Sequence, residues 1–271
     1  MSGMEKITSR DNQHLIDARK VRDGKIRERI FIEGRRLVGE ALRSEISVIQ
    51  GFIVEGFADS GLAAEAAGKV QSMIEVPERV FSTISNTDHS QGIILIADRP
   101  TDGKADLETR LRSRSNAPPI VLFLKQINNP SNLGAVLRTA DAAGVAGVIV
   151  SDNSTDVYSP RSLRGSMGAA FRLPVWENSD LARVLNWAKA EGLMTTATDI
   201  RAARPYNEID WSVPRLLIFG SEAHGLTETD VESVDEKIRI PLENDVESLN
   251  LAVSAGIILF EAKRQNSGSP G

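Results

Sequence analysis

The sequence predicts an α/β protein built on a mostly parallel sheet. Two observations predict this class: short apolar runs alternate with helical stretches, and 41% of the 271 residues are hydrophobic, enough for a packed core. With no cysteine and only three histidines, we expect no disulfide, no cysteine nucleophile and no metal site. No apolar run approaches the roughly 20 residues that cross a bilayer, and the N-terminus lacks an apolar signal core. We therefore expect a soluble cytoplasmic protein.

Periodicity divides the front of the chain into short elements. A basic amphipathic helix is expected near Asp11 to Arg22, and after FIEG a second helical pattern runs through Leu37, Ala41 and Leu42. ISVIQGFIV and QGIILIAD have the apolar content of strands, and GLAAEAAGKV between them that of a short helix. RPTDGKADLETRLRSRSNAPP has proline at both ends and many polar residues, which is typical of a linker, here with a helical middle.

The second part of the chain alternates more regularly. PIVLFLK is expected to form a strand buried on both faces, and the helix LGAVLRTADAAG follows it and ends at Gly144. The further predicted strands are GVIVSD, RLPVW, LMTTATD, RLLIFGSE and KIRIPL. The further predicted helices are SDLARVLNWAKAEG, capped by Ser179 or Asp180, and LNLAVSAGIILFEAKRQ. The predicted organisation is a front domain (1–99), a linker (100–117), a second domain (118–265) and a disordered tail (266–271).

The net charge of −5 conceals an asymmetry. Residues 1–43 hold eleven Lys or Arg and seven Asp or Glu, a local charge of +4, so the other 228 residues carry −9. Because phosphate attraction acts within a Debye length, a local excess of cations indicates a polyanionic partner better than the total does. Acids interleave with these cations, however, which also fits a solvated helix face. Charge alone leaves both interpretations open.

Three loops lie where open α/β sheets bind ligands, after a strand or before a helix. The first is NNPSNLGAVLRTA, residues 128–140. Here Asn132 is expected to cap the helix that begins near Leu133. Arg138 lies in the second turn of this otherwise apolar helix and needs a partner, which is either a structural acid or a ligand.

The second and third loops carry further polar residues. In FGSEAHGL, residues 219–226, two glycines flank Glu222, and such a pair also fits an ordinary turn. In IPLENDVESLNLAVSAG, residues 240–256, Ser248 is expected to cap the closing helix, and Asn250 falls in its first turn although Asn is a poor helix former. None of the three loops contains a dinucleotide, P-loop or nucleophile-elbow motif, which disfavours a dehydrogenase, a nucleotide hydrolase and a serine hydrolase.

Taken in order, NPSNLGAVLRTA, FGSEAHGL and IPL…SLNLAVS resemble the SpoU/TrmH-type branch of the SPOUT RNA methyltransferases, over about the last 150 residues. FIEGRRLVGEAL and QGIILIA are similar to the small α/β RNA-binding domain of the ribosomal-RNA members. The resemblance implies a trefoil-knotted parallel-sheet catalytic domain, methyl transfer from S-adenosylmethionine to a ribose 2′-hydroxyl, and a homodimer formed through the catalytic domain. Periodicity alone predicts an unknotted doubly wound sheet.

The resemblance also implies roles for individual residues. The implied catalytic residues are Arg138, Asn132, Glu222, Ser248 and Asn250. The implied cofactor-binding residues are Gly220, Ile240, Leu242, Leu249 and Asn250, and no metal is implied. In an RNA-modifying enzyme the basic residues expected to contact phosphates are Arg19, Arg22, Arg27, Arg35, Arg161 and Arg164. Tyr158 is the best candidate to stack on a base.

Arg138 is an awkward general base because a guanidinium stays protonated in proteins. We expect it to grip the target phosphate and stabilise oxyanion character at the 2′-oxygen, with the proton leaving through water, phosphate or Glu222. Glu222 alternatively only fixes Arg138 by an ion pair. Ribosomal RNA is the favoured substrate. The alternatives are a transfer RNA methyltransferase, or a non-catalytic RNA-binding or ribosome-assembly factor on the same fold.

Overall fold

The structure is a computed structural model that describes residues 5–101, 103–113, 117–244 and 246–267. The chain divides into two compact units. The first unit comprises Met1–Thr101 and Asp156–Arg172, and the second comprises Asp102–Thr155 and Leu173–Gly271. Among the described residues, no helix combines the length and apolar character needed to cross a membrane.

The first unit contains a five-stranded mixed sheet. Its strands are β1 (Glu5–Lys6), β2 (Arg29–Glu33), β3 (Val48–Val54), β4 (Ser72–Val76) and β5 (Ile93–Asp98), in the spatial order β1-β4-β3-β5-β2. Strands β1, β3 and β4 are parallel, whereas β5 is antiparallel to both of its neighbours. The helices of this region are α1 (Gln13–Arg22), α2 (Arg35–Arg43), α3 (Ser60–Lys69) and α4 (Glu78–Ile84).

Apolar periodicity explains how α1 packs. Asn12 caps this helix by accepting a hydrogen bond from the backbone N–H of His14. Leu15, Ala18 and Val21 recur every three residues, lie on one face and are buried in the core of the first unit. The predicted helix is therefore confirmed. Strands β2 and β4 and helix α4 were not predicted, because each mixes charged or polar residues with apolar ones over five to seven positions and shows neither a continuous apolar run nor a clear period.

The second unit contains a seven-stranded sheet whose paired strands are all parallel. Its strands are β6 (Ile120–Leu124), β7 (Gly147–Ser151), β8 (Val175–Ser179), β9 (Met194–Thr198), β10 (Arg204–Pro205), β11 (Arg215–Phe219) and β12 (Glu236–Arg239), in the spatial order β10-β12-β9-β11-β6-β7-β8. The helices from residue 103 onward are α5 (Gly103–Arg112), α6 (Pro130–Ala143), α7 (Pro160–Ser166), α8 (Leu181–Ala190), α9 (Glu228–Glu232) and α10 (Leu251–Ser267). Of these, α7 belongs to the first unit.

The fold class predicted from the sequence is confirmed. The apolar runs of β6, β7 and β11 are buried, as expected for central strands covered on both faces. Gly144 ends α6 with φ of +84°, the left-handed conformation that glycine adopts without strain. The knot implied by the resemblance depends on how the chain threads through itself rather than on strand order, and it stays a prediction.

The structure differs from the expected linker and tail. The helical middle predicted for the linker is present as α5, residues 103–112, but Leu107 is fully buried in the core of the second unit, so this helix is part of that unit rather than of a linker. In the predicted tail, Asn266 and Ser267 belong to α10, because its hydrogen-bonded turns extend beyond the apolar pattern, and residues 268–271 lie outside the described residues.

One segment of the predicted second domain packs with the first unit. Helix α7 lies against β2, and the guanidinium of Arg164 donates to Asn86 Oδ1 at 2.9 Å. The side chain of Arg172 forms an ion pair with Glu40. The sequence showed no sign of this, because contacts between segments so far apart in the chain leave no local pattern.

Candidate active site

The three loops singled out by the sequence come together at one edge of the parallel sheet. They follow the carboxyl ends of three parallel strands of one sheet: β6 precedes the first loop, β11 the second, and β12, separated from β11 by β9, the third. Because β6 pairs with β11 in parallel, the first two loops leave the sheet side by side. In an open parallel sheet this edge is the usual place for a ligand.

Asn129, rather than Asn132 as predicted, caps helix α6. Asn129 precedes Pro130, which holds it in an extended conformation, and its side chain accepts from the backbone N–H groups of Ser131 and Asn132. Asn132 is therefore free to use its side chain elsewhere. Its Nδ2 donates to Glu222 Oε1 at 3.1 Å, and its Oδ1 accepts from Asn250 Nδ2 at 3.1 Å. One residue from each loop thus enters a single hydrogen-bonded chain, which we call the polar trio.

Glu222 lies at the tip of a tight hairpin in the second loop. Ser221 and Gly225 exchange two backbone hydrogen bonds, and Gly225 has φ of +64°. A Cβ at Gly220 would overlap the backbone of Gly225 and Leu226, so only glycine fits there. The hairpin turns Glu222 towards the first loop, where Oε2 accepts from the backbone N–H of Asn128 at 3.2 Å.

Asn250, rather than Ser248 as predicted, caps the closing helix. Helix α10 begins at Leu251, and Asn250 Oδ1 accepts from the backbone N–H of Ala252 at 2.9 Å. The carbonyl of Asn250 accepts from the N–H of Ser254 at 2.9 Å. Asn250 was expected inside the first turn, but it lies just before it. This position explains why a poor helix former occurs there, since Asn is among the best capping residues.

A cavity of about 820 Å³ opens beside the polar trio. The predicted catalytic residues that line it are Asn132, Glu222, Ser248 and Asn250. The predicted cofactor-binding residues all line it as well, namely Gly220, Ile240, Leu242, Leu249 and Asn250. One wall of the cavity was not predicted from the sequence. It is formed by Thr198, the last residue of β9, and by Asp199, Ile200 and Arg201, which follow it. The position of these residues after a predicted strand was the one signal that could have found them.

The chemistry of this cavity fits S-adenosylmethionine. The volume lies within the range of about 300–1,000 Å³ typical of sites for ligands of this size. Half-buried apolar side chains such as Ile240, Leu242 and Leu249 suit an adenine ring. Gly220 leaves room for close approach to backbone groups, and the carboxylate of Glu222 suits a cationic sulfonium. Among the described residues, no group of acids and histidines is arranged to hold a metal ion.

Arg138 lies apart from the polar trio. It is exposed on α6, it does not line the cavity, and six residues separate it from Asn132, which places it about 240° further round the helix. Among the described residues it has no ion-pair or hydrogen-bond partner. Glu222 bonds to Asn132 and to the backbone of Asn128 instead, so the alternative in which Glu222 only fixes Arg138 by an ion pair is not seen within this chain.

Two of the predicted phosphate-binding arginines have partners inside the first unit. Arg19 donates to Thr83 Oγ1 and to the carbonyl of Arg10, and Arg22 donates to the carbonyls of Thr83 and Ser85. These bonds tie α1 to the end of α4, so the two side chains stabilise the fold.

The other predicted phosphate-binding arginines are more accessible. Arg27, Arg35 and Arg161 are exposed, and Arg164 is half-buried beside Asn86. Tyr158 does not suit base stacking, because it is 5% exposed and the guanidinium of Arg99 covers its ring at 4.8 Å.

Comparisons with known proteins agree with the geometry of the loops. The model of the SpoU rRNA Methylase family matches residues 119–260, and that of the MRM3-like substrate binding domain matches residues 6–95. The chain is 30% identical over 263 residues to the 23S rRNA (guanosine(2553)-2′-O)-methyltransferase RlmP of Bacillus subtilis, covering 96% of this chain and 100% of that protein. It is 36% identical over 178 residues to the 23S rRNA (guanosine-2′-O-)-methyltransferase RlmB of Pseudomonas syringae pv. tomato, covering 65% and 71%.

A solved structure agrees over nearly the whole chain. The AdoMet-bound rRNA methyltransferase from Sinorhizobium meliloti superposes with a TM-score of 0.83 at 29% identity, covering 96% of this chain and 98% of that one. The match includes both units, and the three loops lie within the stretch that the SpoU model covers. The chain belongs to the SpoU rRNA methylase family.

Proposed function

We propose that this chain transfers a methyl group from S-adenosylmethionine to a ribose 2′-hydroxyl of ribosomal RNA. The observation that carries the proposal is the polar trio, which joins one residue from each of three family loops at the rim of a cavity of suitable size. The relatives RlmP and RlmB, both 23S rRNA 2′-O-methyltransferases, support ribosomal RNA over transfer RNA as the substrate. The same relatives favour an enzyme over a non-catalytic assembly factor.

The cavity holds the cofactor in this proposal. Gly220, Ile240, Leu242, Leu249 and Asn250 contact it, with backbone groups supplying most of the hydrogen bonds. When bound, S-adenosylmethionine supplies an electrophilic methyl carbon on a good leaving group. The chain must therefore orient the hydroxyl, assist its deprotonation and exclude water.

The polar trio and Arg138 divide this work. Glu222, held by Asn132 and by the backbone of Asn128, is an acceptor close to where the methyl group is offered, and it assists loss of the hydroxyl proton. Asn250 and Ser248 fix the entrance of the cavity. Arg138 stays protonated, so it grips a phosphate of the target and stabilises negative charge at the 2′-oxygen.

The front domain, residues 1–99, binds RNA in this proposal, and residues 118–265 carry out catalysis. Exposed cations of the first unit, Arg27, Arg35 and Arg161, contact phosphates, with Arg164 beside them. The match of residues 6–95 to a substrate binding domain supports this division. Because ribosomal RNA is made and modified there in bacteria, we place the activity in the cytoplasm.

We also infer a homodimer formed through α6 and α10. These two helices pack together, and Val253 and Phe260, seven residues apart on α10, are 50% and 49% exposed. Seven residues are about two helical turns, so both side chains lie on one face. Arg138 is exposed on α6 and lies outside the cavity of its own chain. A second copy docked on this face would deliver Arg138 to the partner's site.

Methyl transfer to purified RNA tests the proposal. With labelled S-adenosylmethionine, we expect incorporation into ribosomal RNA that lacks the modification and none into transfer RNA. Arg138→Ala should lower the rate by about a hundredfold or more, since it removes the charge that faces the developing oxyanion. Tight RNA binding without incorporation would instead indicate a binding factor. Incorporation into transfer RNA alone would reassign the substrate.

A further inference from the structure

Outside the polar trio, an ion pair connects the residue that follows β6 to helix α9, just beyond the second loop. Lys125 Nζ lies 2.5 Å from Asp230 Oδ2, and the two side chains are only 20% and 12% exposed. Neither residue lines the cavity. This contact could not be predicted from the sequence, because the two residues are 105 positions apart.

The position of this pair relates it to the cofactor loop, which we define as residues 220–227. Lys125 is the first residue after β6, and its backbone N–H donates to the carbonyl of Phe219 at 2.9 Å, at the start of that loop. Asp230 Oδ2 also accepts from the backbone N–H of Thr227, at the end of the loop, at 2.8 Å. Lys125 therefore holds both ends of the cofactor loop.

The electrostatics of the Lys125–Asp230 pair favour a stable contact at the end of the cofactor loop. Burial by itself would raise the pKa of Asp230, but hydrogen bonds from Lys125 and Thr227 outweigh it and hold that pKa below its ordinary value. The carboxylate is thus ionised at neutral pH opposite a lysine ammonium. With little exposed surface on either side chain, water screens the attraction less than at an open surface.

We propose that Lys125 is a positioning residue for S-adenosylmethionine: through Asp230 it fixes the cofactor loop in the conformation that binds the cofactor. The proposal rests on the proposed contact of the cofactor with Gly220. Without the ion pair, the loop is still tied at its tip through Glu222, and Thr227 still bonds to Asp230, but α9 and the attached end of the loop lose their side-chain link to Lys125 beside β6. Ordering this end on binding would weaken affinity. Lys125 touches no reacting atom, so the chemical step itself is unaffected.

Cofactor binding by the full chain, measured by calorimetry with S-adenosylmethionine, tests this role. We expect Lys125→Met and Asp230→Asn each to weaken binding by about tenfold, and the double variant to be no weaker than either, because both break one contact. Lys125→Arg keeps the charge and should bind within about threefold of the unmodified chain. At saturating cofactor, the rate of methyl transfer should return to that of the unmodified chain.

Lys104→Met is the matched control, because it breaks an ion pair of the same unit, Lys104 with Glu108 at 3.2 Å, that has no contact with the cofactor loop. It should leave binding unchanged. Should Lys125→Met fail to fold in a thermal melt, Asp230→Asn and Lys125→Arg carry the same comparison. Binding within about twofold in both Asp230→Asn and Lys125→Met, or additive losses in the double variant, would overturn the role. Failure of the unmodified chain to bind the cofactor would overturn the proposed function instead.

Discussion

The first and third turns of helix α6 behave differently. In its first turn, Asn132 is half-buried and both ends of its amide are bonded, to Glu222 and to Asn250. Two turns later, Arg138 is exposed and has no bonded partner among the described residues. Both residues belong to the same short motif, yet one is bonded within its own chain and the other is not.

This difference shows which part of the site one chain can complete. The polar trio and the cavity need no other molecule, since three loops at one sheet edge bring them together. In the function we propose, Arg138 acts only when RNA or a second copy approaches the exposed face of α6. Cofactor binding should therefore be a property of the single chain, whereas catalysis should require an assembled site.

The largest expected effect comes from mixing two inactive variants. Arg138→Ala should bind the cofactor but lacks the guanidinium. Gly220→Val keeps the guanidinium but should not bind the cofactor, because any Cβ at Gly220 overlaps the hairpin backbone. If Arg138 acts in the partner's site, co-expression of the two should restore about a quarter of the unmodified activity, since half of the dimers then contain one complete site. If Arg138 acts within its own chain, the mixture should stay inactive in the methyl-transfer assay.

A second prediction addresses the bonded end of α6. A carboxylate only accepts hydrogen bonds, so the group of Asn132 facing Glu222 must be its amide Nδ2. Asn132→Asp replaces this donor by an oxygen and sets two carboxylates against each other, so we expect a fall in kcat of about tenfold to a hundredfold. Asn128→Asp is the control, since only the backbone of Asn128 bonds to Glu222. If Asn132→Asp and Asn128→Asp have the same kcat, the polar trio is not needed for catalysis.

How much of the fold and of the site could be predicted from the sequence depends on how far apart in the chain the interacting residues lie. Local patterns predicted α6, its end at Gly144 and the buried strands, and the family resemblance supplied the five proposed cofactor-binding residues, all of which line the cavity. The local patterns failed at the exact start of α6. Asn132 was predicted as its cap, but the helix begins three residues earlier, at Pro130, and the extended conformation that Pro130 imposes on Asn129 makes Asn129 the cap.

Partners distant in the chain could not be predicted at all. The basic front segment contains several similar arginines, and nothing in its sequence shows that Arg19 and Arg22 bond to the end of α4 while Arg27 faces solvent. Likewise, nothing in the polar stretch between the two prolines shows that Leu107 packs into the core of the second unit. Such contacts depend on tertiary structure and leave no periodic signal.

The smallest expected effect concerns pH. The pKa of Asp230 is lowered in the folded chain, so its ionised form contributes stability above the ordinary value of 3.8, and this is lost as the pH falls through the lower folded value. Asp230→Asn lacks this contribution at every pH. We expect urea unfolding to show a deficit of about 1 kcal/mol at pH 7 that shrinks below about pH 4. A deficit that is constant with pH would mean that the charge of Asp230 is irrelevant to stability.

The position of the transferred methyl group tests the central claim most directly. Methylation of a ribose 2′-oxygen removes the hydroxyl that attacks the neighbouring phosphate in alkali, so it leaves one alkali-resistant linkage. We expect ribosomal RNA treated with the chain and labelled S-adenosylmethionine to carry its label in alkali-resistant dinucleotides, and Arg138→Ala to leave almost none. Label that alkali releases entirely in mononucleotides would place the methyl group on a base and contradict the account.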